Sequence, residues 1–134
     1  MRTLRAMIAM AIVSVLTGCG YNTIVTQEQT VTAAWSEVLN QYQRRADLIP
    51  NIVETVKGEA NFEQTTLQNV IEARAKATAI QATPELVNNP QAFAQFTQAQ
   101  SQLTSALSRL LVTVENYPNL KANAAFQDLR TQLE

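Results

Sequence analysis

Apolar residues at helical spacing, punctuated by single prolines, constrain this chain more than any other feature. Residues 44–79, RRADLIPNIVETVKGEANFEQTTLQNVIEARAKATA, join two amphipathic segments at Pro50 and contain Gly58, the one glycine far from the N-terminus. Upstream, Ile24, Val25, Val31, Ala34, Trp35, Val38, Leu39, Tyr42 and Ala46 fall on one helical stripe. Trp35 lies in the middle of that stripe, which predicts a core position for it.

Pro50 has no backbone N–H, and its ring clashes with a helical carbonyl four residues earlier. It also pushes Ile49 towards extended geometry. Proline is tolerated at a first helical position, so the sequence predicts that Asp47 or Leu48 closes one helix and Pro50 opens the next. A kink within one long helix is the alternative. The second segment places Ile52, Val53, Val56, Ala60, Leu67, Val70, Ile71, Ala77 and Ile80 on its core face. Gly58 costs about 1 kcal/mol against alanine in a helix, so a bend or a close helix approach is expected there.

Residues 83–91, TPELVNNPQ, hold two of the four prolines and read as a loop. A third helix is expected over about residues 90–117, with Phe93, Phe96, Leu103, Leu107, Leu110, Leu111 and Val114 on its buried side. Tyr117-Pro118 stops it, residues 120–123 bridge, and Phe126, Leu129 and Leu133 continue the pattern in a fourth helix. Short connections between amphipathic helices predict an all-α, antiparallel up-and-down bundle of long helices. The low aromatic content of 6% and the scarcity of strand-like alternation agree with that class.

The N-terminus carries a different signal. Arg2 and Arg5 precede an apolar run of 11 residues, 6–16, too short for the ~20 that a membrane crossing needs. Its length and flanking charge fit a secretory leader. The run ends in Leu16-Thr17-Gly18-Cys19, which resembles a bacterial lipobox. Cys19 would accept a diacylglyceryl group before cleavage ahead of it, and Gly20 follows it where aspartate would favour inner-membrane retention. Two or three acyl chains make a stable anchor, because each buried CH₂ contributes ~0.8 kcal/mol. The expected organisation is a lipoprotein signal peptide at 1–18, a tether at 19–23 and a helical domain at 24–134. The location follows: a lipid-anchored membrane protein of the bacterial cell envelope, on its periplasmic or extracytoplasmic face.

The spacing of Arg44-Arg45, Asp47-Leu48-Ile49-Pro50-Asn51, Val53-Glu54-Thr55-Val56-Lys57-Gly58 and Glu72-Ala73-Arg74-Ala75 is similar to the signature of the LemA family of membrane-attached helical proteins. Leu107-Ser108-Arg109-Leu110-Leu111 and residues 115–123, ENYPNLKAN, extend the resemblance over essentially the whole chain after the leader. It implies a bundle of long antiparallel helices outside the cytoplasmic membrane and brings no enzymatic residues with it. Two departures stand out. Members of that family commonly keep an uncleaved membrane helix, and they continue through another long helix. The stripe at Phe126, Leu129 and Leu133 is therefore expected to be a shortened end, leaving a groove for self-association or for a partner's helix.

Chemistry has few candidates here. Histidine is absent, which removes the usual neutral-pH acid/base and the commonest transition-metal ligand. Glu59 and Glu63 stand one helical turn apart, but a di-iron bundle needs Glu-x-x-His motifs as well. No metal, cofactor or catalytic residue is expected, and Cys19 is the one modification site. The net charge of −1 and the lack of a basic stripe argue against nucleic acid. The favoured role is a non-enzymatic interaction or scaffold module whose partners are the membrane, through Cys19, and either an unknown envelope protein or a second copy. The rival is an envelope hydrolase or its accessory subunit working with carboxylates in an interhelix groove, with Glu54 and Glu72 near Arg74 as its candidates.

Overall fold

The computed structural model describes Met7 and residues 21–134. Cys19, its lipobox and the rest of the leader apart from Met7 lie outside the described residues. The chain divides into two units, Met1–Glu37 and Val38–Glu134, and the first helix begins in one and ends in the other. Among the described residues every regular element is helical. These are α1 (Tyr21–Lys57), α2 (Gln64–Ala79), a 3-10 turn (Pro84–Asn88), α3 (Pro90–Val114), α4 (Pro118–Lys121) and α5 (Ala124–Leu133).

Long-range pairs fix the topology of the second unit. Arg74 of α2 reaches back to Ala46 of α1, while Tyr42 and Arg45 of α1 meet Phe96 and Thr104 of α3. Helix α1 thus runs alongside α3 in the same direction, and α2 runs against both. Arg130 pairs with Glu115, and Gln132 lies beside Arg45, so α5 returns antiparallel to α3. This is the up-and-down arrangement that the short connections imply.

One apolar core joins all these helices. Ile49, Ile52 and Val56 of α1 pack with Leu67 and Val70 of α2, with Leu103, Leu107, Leu110 and Val114 of α3, and with Phe126 and Leu129 of α5. Helices α2 and α3 lie close along their length, where Ala73, Ala77, Ala99 and Ala106 supply small buried side chains. Phe126 and Leu129 are wholly buried and Leu133 is half-buried, so the last stripe packs into this core. The stripe is therefore covered and not left open as expected.

Three other expectations change. Pro50 does not open a helix; α1 continues through it to Lys57. The break comes later, at residues 58–63, within a segment that reads as one helix in the sequence. Gly58 has no positive φ, and a methyl group there would meet Thr55 O at an ordinary 3.5 Å. Instead Asn61 takes the left-handed conformation, with φ 68°, which asparagine tolerates better than most residues. The turn exposes Ala60, buries Phe62, and separates Glu59 from Glu63, which no longer share a helix face. Finally, Trp35 is half-buried, not core, Ile24, Val31 and Val38 on its stripe are exposed, and so are Ile71 and Phe93 on faces that the sequence reads as core.

The N-termini of α3 and α5 are capped by asparagine side chains. The Asn89 side chain accepts from the Ala92 N–H at 3.1 Å, with Pro90 in the first turn of α3. Asn123 does the same for α5, accepting from the Ala125 N–H at 2.9 Å.

Candidate functional site

The residues of the signature stretch converge on three polar fastenings around the core. The first explains how Pro50 sits inside α1. Proline withholds the N–H that the Ala46 carbonyl would have received. Arg74 Nε donates to that carbonyl at 3.0 Å, so α2 supplies the missing bond. Ala46 is buried, and its carbonyl would otherwise lack a partner at some free-energy cost. The kink-tolerant helix and the arginine of the second segment are one device.

The second fastening centres on Arg45. Its Nη1 donates to Thr104 Oγ1 at 3.0 Å, and its Nη2 lies 3.5 Å from the Gln132 carbonyl. The guanidinium carbon stands 5.7 Å from the centroid of the Tyr42 ring, which meets Phe96 edge-on at 5.2 Å. Thr104 Oγ1 in turn donates to the Gln100 carbonyl at 3.0 Å. Two atoms in this layer, Arg45 Nε and Gln100 Oε1, are buried without a hydrogen-bond partner among the described residues.

The third closes the opposite end. Tyr117 donates its hydroxyl proton to the Asn61 carbonyl at 2.8 Å, and its ring lies 5.1 Å from that of Phe62. Glu115 accepts from both Lys121 and Arg130, linking the end of α3 to α4 and α5. The Lys121 hydrogen bond is the main cause that holds the Glu115 carboxyl below its ordinary value, with help from the Arg130 charge.

The carboxylates named from sequence do not gather. Glu54 is exposed and pairs with Lys57 at 2.8 Å. It shares a groove of about 280 Å³ with Pro50, Ile71 and Arg74. Glu72 lines a different groove, between α2 and α3, and accepts from Gln68 at 3.2 Å. Arg74 donates to the Ala46 backbone and forms no ion pair with either carboxylate. Among the described residues no cluster of three or more acidic or cysteine side chains could hold a metal ion. No described helix is long and apolar enough to cross a membrane. Sequence reasoning missed the buried Gln100, which falls in a run of glutamines and serines that reads as a solvated face. The four-residue step from Phe96 was the available signal.

The geometry defines an all-α bundle held by arginine, tyrosine and glutamate ties around an apolar core. The sequence pattern of the LemA family matches residues 34–134, and the chain belongs to that family. Comparison with curated proteins gives no match.

Proposed function

We propose that this chain is a lipid-anchored interaction module of the bacterial cell envelope, tethered through Cys19 and acting by binding other proteins. The observation that carries this reading is the character of the interior. Its buried side chains are Leu, Val, Ile, Ala and Phe, with Gln100 as the one buried polar residue among those described. A carboxylate-based hydrolase needs acid and base groups brought to one desolvated cleft, with pKa values moved towards neutrality. Here Glu54 and Glu72 are exposed and apart, which favours the binding role over the hydrolase.

The anchor rests on the lipobox at Leu16-Thr17-Gly18-Cys19 behind Arg2, Arg5 and the apolar run. Mass spectrometry of the N-terminus of the membrane-purified protein tests it directly. The expected product begins at an acylated Cys19, and Cys19→Ala leaves an unprocessed precursor. An intact chain with an unmodified Cys19 thiol overturns the anchor. Crosslinking of the anchored protein in intact cells tests the interaction role, with a discrete heteromeric or self-crosslinked product as the expected result.

A further inference from the structure

We propose that a pocket between α1, the C-terminal end of α2 and α3 receives a tyrosine side chain of a partner protein; the proposal rests on the interaction role above. The pocket has a volume of about 180 Å³. Its walls include Leu39, Tyr42, Ala77, Ile80, Phe96 and Gln100. The Tyr42 and Phe96 rings stand at 82° to each other, and the Arg45 guanidinium over Tyr42 holds that ring in place. Thr78 and Gln81, exposed at the rim, leave an opening to solvent.

Gln100 sets the ligand chemistry. It is only 8% exposed, and its Oε1 has no donor among the described residues. Buried acceptors in native proteins are nearly always paired, and apolar pockets with one placed polar group are the usual form of a small binding site. A cavity of ~150 Å³ is enough for a benzene ring. The occupant is therefore a ring with one neutral donor. A phenolic hydroxyl suits best, because it both donates and accepts and so matches either orientation of the Gln100 amide. None of the residues lining the pocket is charged, which disfavours phosphate, carboxylate or ammonium ligands.

The test uses the full chain in detergent micelles, with alanine and isoleucine methyl groups labelled for NMR. N-acetyl-tyrosinamide should shift the Ala77 and Ile80 methyl resonances and bind about tenfold more tightly than N-acetyl-phenylalaninamide, which lacks only the hydroxyl. Gln100→Leu should bring the two ligands to within about twofold of each other, while Thr78→Trp should block both at the rim. Because Thr78 is exposed, that second variant tests the pocket without disturbing the core. Equal affinity of the two amides, absence of methyl shifts, or binding of p-cresol without the tyrosine amide would each overturn the proposal. The last outcome would mean a site for a free phenol. Envelope crosslinks can persist when the amide fails to bind, and the amide can bind when crosslinks are absent, so the two failures are distinguishable.

Discussion

Residues 21–37 and residues 38–134 carry the same apolar period and reach opposite outcomes. In the first region Ile24 and Val31 are each 65% exposed, whereas Leu107 and Leu110 in the second are wholly buried. Periodicity marks which side of a helix is apolar; it does not say what, if anything, covers that side. Side-chain hydrogen bonds to the carbonyl four residues back run through both regions, and the second adds long-range ones. Thr26, Thr30, Thr32 and Ser36 donate to the carbonyl four residues back, within one turn of their own helix. In the second region Arg45, Arg74 and Tyr117 bridge residues 28 to 87 positions apart. Locally satisfied helix and globally tied bundle can share one continuous α1.

The sharpest way to break this contrast is to place a charge on each stripe. Leu110→Asp puts an unpaired carboxylate into the core and should cost more than about 4 kcal/mol, enough to unfold the bundle. Val31→Asp should change stability by no more than about 0.5 kcal/mol. Urea melts followed by circular dichroism compare the two. Comparable losses would mean that the stripe at residues 24–38 is covered after all.

A second test addresses the proline tie. Arg74→Ala leaves the buried Ala46 carbonyl without its donor and should cost about 1–3 kcal/mol. Pro50→Ala restores an N–H within the helix, so the double variant should be less destabilised than Arg74→Ala alone. A coupling of about 1 kcal/mol in the double-mutant cycle is expected. Strict additivity would show that Arg74 and Pro50 act separately.

That tie also shows how far the sequence reaches. The helical class and most of the core faces of α3 and α5 follow from spacing, because those stripes are long and bounded by prolines. Phe93, on the α3 stripe, is nonetheless exposed, and the segment read as a loop carries a 3-10 turn. The path through Pro50 does not follow from spacing. Whether a proline ends a helix or is carried within it depends on a donor from elsewhere, here 28 residues along the chain. The turn at residues 58–63 was equally hidden. Gly58 marks its beginning, but the left-handed residue is Asn61, and Tyr117 holds the Asn61 carbonyl from a distant corner. At the candidate site, Phe96 was legible as core, while Gln100 was masked by its polar neighbours. Glu59 and Glu63 shared a face only as long as the helix was assumed unbroken.

Removing a single long-range hydrogen bond gives a smaller effect. Tyr117→Phe keeps the ring against Phe62 and deletes the bond to the Asn61 carbonyl. The expected loss is about 0.5–1.5 kcal/mol. Hydrogen exchange should localise it to residues 58–63, leaving α1 upstream of Ser36 unchanged. A loss spread evenly over α1 would erase the distinction between the two regions.

The smallest effect concerns Glu115, which is exposed but held by Lys121 and Arg130. Its carboxyl lies below the ordinary value of 4.5, chiefly through the Lys121 hydrogen bond. A carboxylate with a depressed folded pKa stabilises the fold above its unfolded pKa, and that contribution disappears as pH falls through the lowered folded value. Glu115→Gln should therefore be less stable than wild type at neutral pH, and the gap should close in acid, below the normal carboxylate range. Solvent screening keeps the difference small, and added salt should shrink it further. Urea melts at neutral and acidic pH, each at low and high salt, measure it. A gap that persists unchanged in acid would assign the role of Glu115 to side-chain packing and not to its charge.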